Sequence, residues 1–207
     1  MSLRVRRALP QLVLLLVLPL CAGWSGSWEE IRKAAEQVRA MRADFVQRKH
    51  LPILAQPLTS TGSFAFRRPE EIRWEYASPL QSILLLSKDE VRRFVRQGER
   101  LVPDASAQLE AMRVVLAEIG RWLAGRFEES VTFAPRLEPG TPTLIQLTPR
   151  DPAMTRFIQH IEIELGATPG VIAEVRIHEG PQAYTVIHFD RVQLLPELPD
   201  ELFRIAR

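Results

Sequence analysis

The chain has 207 residues, of which 46% are hydrophobic, and this is enough for one domain with a sizeable core. Its formal net charge of +2 is close to balance, so it lacks the positive excess with which nucleic-acid-binding proteins attract phosphates. The single cysteine, Cys21, excludes an internal disulfide framework.

The first 23 residues have the three-part layout of a secretory signal peptide. Three arginines precede an apolar run over residues 12–20, and small residues follow it. The run is too short to span a bilayer comfortably. We predict export to the periplasm and cleavage after Gly23, with Ala22 as the other candidate, which leaves one domain over residues 24–207.

Cys21 stands where a lipoprotein cysteine would stand, so a lipid anchor is an alternative. The residue before it is Leu20, whereas lipoprotein peptidase sites require a small residue there, and this favours a protein without an anchor. The predicted signal peptide, residues 1–23, holds three of the 27 basic residues and none of the 25 acidic ones. The formal charge of residues 24–207 is therefore −1, which also lacks a positive excess.

A helix is predicted from the capping box at Ser27 and Glu30 to about Arg42, because apolar residues recur there at intervals of three and four. A strand follows over residues 43–51. An irregular link with two prolines then leads to the next strand.

Residues 58–76 predict an antiparallel hairpin of two half-buried strands. The sheltered parity of the first strand ends in Phe64 and Phe66, and the second strand carries Trp74 and Tyr76 on alternate positions. Between them, Pro69 predicts a turn, because proline fixes its own φ and restricts the preceding residue.

The corner of this hairpin carries two adjacent arginines, Arg67 and Arg68. A solvated hairpin corner explains them, and so does a functional role at the end of a strand with a sheltered face. The residues alone leave both interpretations open.

The middle of the chain predicts two more strands and a long helix. Residues 82–86 are an unbroken apolar run, typical of a strand covered on both sides, and residues 91–96 are more polar. The chain is then expected to leave the sheet over residues 98–103. Asp104 is a good N-cap for a second helix, which Gly125 can end. Its apolar stripe consists of Leu109, Met112, Val115, Leu116, Ile119, Trp122 and Leu123.

The last third of the chain predicts a run of strands. They cover residues 131–133, 143–147, 157–165, 171–177 and 183–189. With about ten or eleven strands, two helices and no βαβ rhythm, the expected class is α+β, mainly β. We expect one strongly curved antiparallel sheet, an incomplete barrel whose mouth the helices cover.

Motifs for catalysis or metal binding are missing from the sequence. There is no nucleophile elbow, no phosphate-binding glycine loop and no His-Glu-x-x-His motif. The predicted hairpin around residues 180–181 places His178 several residues away from His188, so we do not expect the two to share a metal ion. We expect both histidines to lie on the exterior of the barrel. We therefore predict a protein that is not an enzyme and has no cofactor.

Three short motifs follow one another between residues 43 and 79. They read ADFVQ at 43–47, GSFAFRRP at 62–69 and IRWEY at 72–76, followed by Pro79. Their order, behind a signal peptide and an N-terminal helix, resembles that of the periplasmic outer-membrane lipoprotein carrier family, LolA.

The resemblance implies helices across the mouth of a half-barrel whose hydrophobic cavity takes up lipoprotein acyl chains. It also implies a monomer that receives cargo from an ABC-type extractor in the inner membrane and passes it to an outer-membrane acceptor. In this family the second basic residue of the Arg-Pro strand helps to hold the lid helices shut. Carried over, that residue is Arg68.

The residues expected to bind the acyl chains come from the hairpin and the second helix. Aromatic and methionine side chains suit a ligand that has no polar groups to recognise, because they offer large apolar surfaces and methionine is flexible. The predicted cavity wall comprises Phe64, Phe66, Trp74, Tyr76, Met112, Leu116, Ile119 and Trp122.

One stretch departs from the family pattern. Members usually have a short segment with a glycine and an aromatic pair after the third strand, whereas residues 87–94 of this chain contain neither. Two alternatives therefore stay open: a LolA-like carrier or accessory protein for another lipid or lipid-linked product that works with an inner-membrane exporter, and a protein-docking module without lipid cargo.

Overall fold

The described residues fold as a single antiparallel β-sheet of eleven strands with two helices on its inner face. A computed structural model describes residues 26–87, 90–104 and 108–206, and within residues 108–114 it describes only the backbone. The predicted signal peptide therefore lies outside the described residues. The mainly β class with an incomplete barrel is confirmed.

The strands occupy almost half of the described residues. They are β1 (Ala40–His50), β2 (Leu58–Arg67), β3 (Glu71–Ser78), β4 (Ser82–Ser87), β5 (Glu90–Gln97), β6 (Arg100–Pro103), β7 (Phe133–Glu138), β8 (Leu144–Pro149), β9 (His160–Leu165), β10 (Ile172–His178) and β11 (Tyr184–Leu195). The helices are α1 (Trp28–Gln37) and α2 (Gln108–Leu123), and short 3-10 turns cover Phe127–Glu129, Met154–Arg156 and Asp200–Phe203.

The order of strands across the sheet is β6-β5-β4-β3-β2-β1-β11-β10-β9-β8-β7. Strands β1 and β11, the first and last in chain order, thus pair in the centre of the sheet. Within the described part of the chain, β6 and β7 form its two open edges. Helix α2 lies in the chain between these two edge strands. It therefore crosses the open side of the curved sheet.

The inner face of the sheet and both helices share one hydrophobic core. Side chains from α1 and α2, such as Ile31, Leu116 and Trp122, join the same buried cluster as Phe45, Phe64 and the inward residues of the other strands. None of the helices in the described ranges is long and apolar enough to span a membrane.

A smaller core lies on the outer face, where the C-terminal segment covers β2 to β4. It contains Ala40, Ala65, Leu198 and Phe203. Buried Arg73 donates hydrogen bonds to the carbonyls of Leu202 and Ile205 at 3.1 and 2.9 Å. The end of the chain is therefore fastened to the back of the sheet.

The start of the first helix is as predicted, but its end is not. The capping box between Ser27 and Glu30 is confirmed. The prediction that the helix reaches Arg42 is wrong, because the chain enters β1 at Ala40, opposite Arg67 on one side and Leu195 on the other. Pairing with two strands satisfies the backbone there, so it overrides a helical pattern of side chains.

The prediction that residues 98–103 leave the sheet is also wrong. Gly98, at φ +60°, is the first residue of a two-residue turn, which folds Arg100–Pro103 back onto β5 as the edge strand β6. Two further strands start later than predicted, at Phe133 and His160, because Val131 and Phe157 lie exposed before them.

The start of the second helix lies outside the described residues, which resume at Gln108. Whether Asp104 caps this helix is therefore not described, although its carboxylate lies 3.0 Å from Arg93. The helix ends at Leu123, shortly before Gly125, as predicted.

Gly62 stands at a register shift where β2 and β3 approach closely. A Cβ atom at this position would lie 1.9 Å from the carbonyl oxygen of Glu75 and 2.8 Å from the ring of Phe45. By contrast, a Cβ atom at Gly120 in α2 would meet no heavy atom within 4 Å. The two glycines therefore have different structural roles.

We predict that Gly62→Ala lowers the free energy of unfolding by about 1–3 kcal/mol, because the backbone of β3 must move to admit the methyl group. Gly120→Ala is the matched control and should raise stability by about 0.5–1 kcal/mol, since glycine weakens a helix interior. Urea unfolding measures both. A Gly62→Ala variant as stable as the parent would contradict the close approach.

Candidate functional site

A cavity of about 590 Å³ lies between the inner face of the sheet and helix α2. Strands from both halves of the sheet form its floor. Side chains from α2 form the opposite wall. Its lining is Met41, Gln47, Phe64, Trp74, Tyr76, Leu84, Val115, Leu116, Glu118, Ile119, Trp122, Leu123, Thr132, Phe133, Met154, Ile158, Ile161, Ile172, Val175, Ile177, Thr185, Ile187 and Phe189.

Aromatic rings from β2, β3 and β11 pack together on the cavity floor. The Trp74 ring centroid lies 5.2 Å from that of Phe64 and 6.0 Å from that of Phe189, both in edge-to-face arrangements. Phe45 supports Trp74 from β1 at 5.3 Å. Such contacts hold the rings in fixed positions, so this part of the wall is preformed.

The wall formed by α2 follows the helical repeat. Its lining positions 115, 116, 118, 119, 122 and 123 are spaced by three and four residues and share one face. Leu116 and Trp122 are buried, whereas Val115 is 54% exposed. The helix therefore presents an apolar stripe to the cavity with one of its borders in solvent.

The structure places six of the eight predicted wall residues on the cavity. These are Phe64, Trp74, Tyr76, Leu116, Ile119 and Trp122. Phe66 is fully buried in the core beside the cavity and does not line it. The side chain of Met112 lies outside the described residues.

Sequence reasoning missed the aliphatic half of the wall, which β9, β10 and β11 supply. Ile161, Val175 and Ile187 belong to it. Their alternation with polar residues predicts strands, but nothing local indicates that the inner face of these strands meets the face that carries Trp74. Sequence reasoning also missed Glu118, although its position between Val115 and Trp122 follows the same helical spacing.

Few polar side chains reach the cavity. The Tyr76 hydroxyl donates a hydrogen bond to Oε1 of Gln47 at 2.9 Å, and burial raises the pKa of Tyr76 above its ordinary value. Glu118 accepts a hydrogen bond from Arg121 at 2.8 Å through Oε1. Its second oxygen, and Nε1 of Trp122, are buried without a hydrogen-bond partner in the described part of the chain.

Arg68 binds the C-terminal end of α1. Its Nε donates to the carbonyl of Val38 at 2.9 Å and its Nη2 donates to the carbonyl of Ala35 at 2.6 Å. These are carbonyls of the last turn and of the C-cap, where a positive charge also meets the negative end of the helix dipole. The guanidinium fork thus ties the hairpin corner to α1.

The neighbours of Arg68 tie the same corner to two other segments. Arg67 donates to the carbonyl of Leu198 at 2.6 Å, and it pairs with Glu71 and Asp200. Glu70 pairs with Arg126, just after α2, at 2.9 Å. The corner therefore contacts α1, the chain after α2 and the C-terminal segment.

The histidines lie on the outer face of the sheet. His178 stacks on His160 with ring centroids 4.0 Å apart, and Glu162 lies 3.3 to 3.4 Å from both. These three residues could offer ligand atoms to a metal ion. His188 pairs instead with Glu174 and Asp190. The predicted separation of His178 from His188 is thus observed.

Comparison with known proteins shows similarity to lipoprotein carriers. The family model "Outer membrane lipoprotein carrier protein LolA" matches residues 36–206. An outer-membrane lipoprotein carrier protein from Nitrosospira multiformis is 28% identical over 182 residues, which cover 85% of this chain and 82% of that protein. Another from Alkalilimnicola ehrlichii is 26% identical over 187 residues, with 86% and 78% covered.

A solved structure shares the fold at low identity. It is an uncharacterized conserved protein from Thermus thermophilus, 9% identical, with a TM-score of 0.52 over 86% of this chain and 93% of that one. The similarity indicates a common arrangement of strands and helices.

The buried position of Tyr76 predicts how stability depends on pH. The unfolded chain loses the tyrosine proton near pH 10.0 and the native state at higher pH, so above that pH the unfolded state binds fewer protons. Stability should therefore fall as the pH rises above 10, and the fall should be smaller in Tyr76→Phe.

Tyrosinate absorbance of the Tyr184→Phe variant measures this directly, because Tyr76 is then the one tyrosine left in the chain. A Tyr76 that titrates at or below its ordinary value would contradict the burial of its hydroxyl.

Proposed function

This chain belongs to the LolA family of outer-membrane lipoprotein carriers, and we propose that it binds the acyl chains of a lipidated cargo in the cavity beneath α2. The family consists of periplasmic carriers and not of enzymes. The observation that carries the proposal is an apolar cavity closed by a helix that crosses the open side of the sheet.

The size and lining of the cavity support an acyl ligand. Its volume of about 590 Å³ lies within the range of ordinary ligand sites. Burial stabilises each methylene by about 0.8 kcal/mol, so about ten buried methylenes contribute about 8 kcal/mol towards the entropy cost of association and the net affinity. Such a ligand would stay bound in water and could still be released.

We assign Arg68 the role of a latch. It joins the hairpin corner to the end of α1 through two hydrogen bonds to carbonyls, each from a charged donor. Such bonds contribute about 1.5–3 kcal/mol. An opening of the helices for cargo would break these bonds and would also expose apolar side chains of α1 and α2 that pack on the sheet.

In this proposal the protein acts as a monomer in the periplasm after removal of residues 1–23. It would take its cargo from an ABC-type extractor in the inner membrane and deliver it to an outer-membrane acceptor. The leader, the unlipidated state of Cys21 and both partners are expectations that follow from the sequence pattern and from the family.

A second candidate is a protein-docking module without lipid cargo. Exposed apolar side chains at the end of the sheet opposite Arg68 favour it, among them Ile53, Leu58 and Leu80. A carrier for another lipid or lipid-linked product, working with an inner-membrane exporter, is the third. The identity of what co-purifies with the protein distinguishes all three.

Native mass spectrometry of protein purified from its own periplasm tests the carrier proposal. We expect a bound lipid or lipoprotein. Ile119→Trp should fill part of the cavity and displace about three methylenes, which weakens binding about fiftyfold at about 0.8 kcal/mol each.

The matched control is Val131→Trp, since Val131 is 79% exposed and lies outside the cavity lining. A stable protein partner without any bound lipid would refute the carrier proposal and favour docking. A bound lipid that is not part of a lipoprotein would favour the third candidate.

Arg68→Leu should leave the sheet folded but change cargo uptake or release, because it removes a closing contact and no core side chain. Amide exchange of α1 should accelerate about tenfold or more if one charged hydrogen bond worth about 1.5 kcal/mol is lost. Arg39→Leu is the control, an exposed arginine on the same connection. Equal transfer rates for the parent and Arg68→Leu would end the latch proposal.

A further inference from the structure

The four most exposed large apolar side chains in the described ranges lie at one end of the sheet. They are Ile53 (88% exposed), Leu80 (80%), Val131 (79%) and Phe157 (73%). Each belongs to a different connection: the first two follow β1 and β3, and the other two precede β7 and β9. We call these four side chains the apolar tips.

The register of the strands places the four connections together. β1 ends at His50, opposite Tyr184 at the start of β11, and the same row continues through His178 to His160 at the start of β9. On one side of this row, β2 starts and β3 ends; on the other, β8 ends and β7 starts. The apolar tips therefore share the end of the sheet that lies opposite the Arg68 corner.

Two of the apolar tips are direct neighbours of residues that line the cavity. Val131 precedes Thr132 and Phe157 precedes Ile158, and both Thr132 and Ile158 belong to the lining. The exposed apolar side chains thus border the cavity at this end of the sheet. An acyl chain that enters or leaves the cavity here passes beside them.

The connections that carry the first two tips contain no charge. Residues 51–57 and 77–82 include neither an acidic nor a basic side chain. An apolar protrusion can enter a lipid surface if it takes no charge with it, because a charge without a partner is costly in hydrocarbon. Charged residues of both signs flank the other tips, for example Asp151 and Arg156. Insertion of apolar side chains would therefore contribute more than attraction between charges.

We propose that this end of the half-barrel rests on a lipid bilayer, with the apolar tips inserted below its headgroups. This inference rests on the proposed carrier function and says where the cargo is exchanged. A bilayer is the partner that the chemistry favours, because acyl chains lie in it and because it admits single side chains from separate turns without a matching pocket for each. The border of the cavity then meets the surface that holds the cargo.

Flotation of residues 24–207 with lipid vesicles tests the contact. We expect binding to phosphatidylcholine vesicles with or without phosphatidylglycerol, and it should persist at high salt, because salt screens charges and not apolar insertion. A triple variant, Ile53→Gln with Leu80→Gln and Phe157→Gln, should bind about a hundredfold or more weakly, since it loses three inserted side chains.

The matched control is the double variant Leu144→Gln with Leu194→Gln. Both leucines are exposed, at 37% and 47%, and they lie at the other end of the sheet. This control should bind vesicles as the parent does, so that a loss confined to the triple variant reports the position of the side chains and not a general loss of apolar surface.

A fluorescent label locates the contact without removing several side chains. Residues 24–207 contain no cysteine, so Leu80→Cys and Leu194→Cys each introduce one site for an environment-sensitive dye. The emission of the dye at position 80 should shift to the blue when vesicles are added, and that of the dye at position 194 should not. Equal responses at the two positions would overturn the proposed orientation.

The outcomes separate this inference from the carrier proposal. A parent protein that binds neither kind of vesicle would overturn the inference, while a lipid found on it by native mass spectrometry would leave the carrier proposal in place. Binding that needs phosphatidylglycerol and vanishes in salt, or that the triple variant retains, would overturn the insertion of the tips. A protein partner that only the triple variant loses would overturn it too, because the tips would then form a protein interface. Vesicle binding by a protein that carries no lipid would refute the carrier proposal and leave the membrane contact.

Discussion

Strands β1 and β11, the first and last of the sheet in chain order, pair along their length from Ala40 opposite Leu195 to His50 opposite Tyr184. This pairing joins the two halves of the sheet in its centre and leaves β6 and β7 as the edges. Because α2 connects these edge strands, it has to cross the concave side. The cavity is thus a consequence of strand order, and its walls come from both halves of the chain.

The hairpin corner fastens the parts that lie around this sheet. Arg68 binds α1, Glu70 binds the chain after α2, and Arg67 binds the C-terminal segment. These contacts are a few directional bonds, many of them to backbone carbonyls. The sheet itself depends on extensive apolar burial and on continuous ladders. The helices are held by these bonds and also by the apolar side chains that they pack on the sheet. A movement of the helices for a ligand would break both kinds of contact, whereas the ladders between the strands could stay intact.

The cavity combines two kinds of wall. Its floor is a set of aromatic and aliphatic side chains fixed by the strands, and such a surface accepts many chain lengths and shapes. Its lid carries a carboxylate oxygen and an indole N–H that lack partners among the described residues, and the indole N–H of Trp74 on the floor lacks one too. These polar atoms are few and buried, so the apolar lining provides the affinity for an apolar ligand.

The sequence by itself determined most strands, the capped start of α1 and the apolar stripe of α2, because alternation, turn residues and caps act within a few residues of one another. Through its short motifs it also determined the family. Only the tertiary structure decided that Ala40 and Met41 extend β1 and not α1, that Arg100–Pro103 returns to the sheet, and that Phe66 is core while Phe64 lines the cavity. It likewise decided that Glu118 is buried. These outcomes depend on partners distant in the chain, and a local pattern contains no information about which strand, helix or cavity a residue will meet.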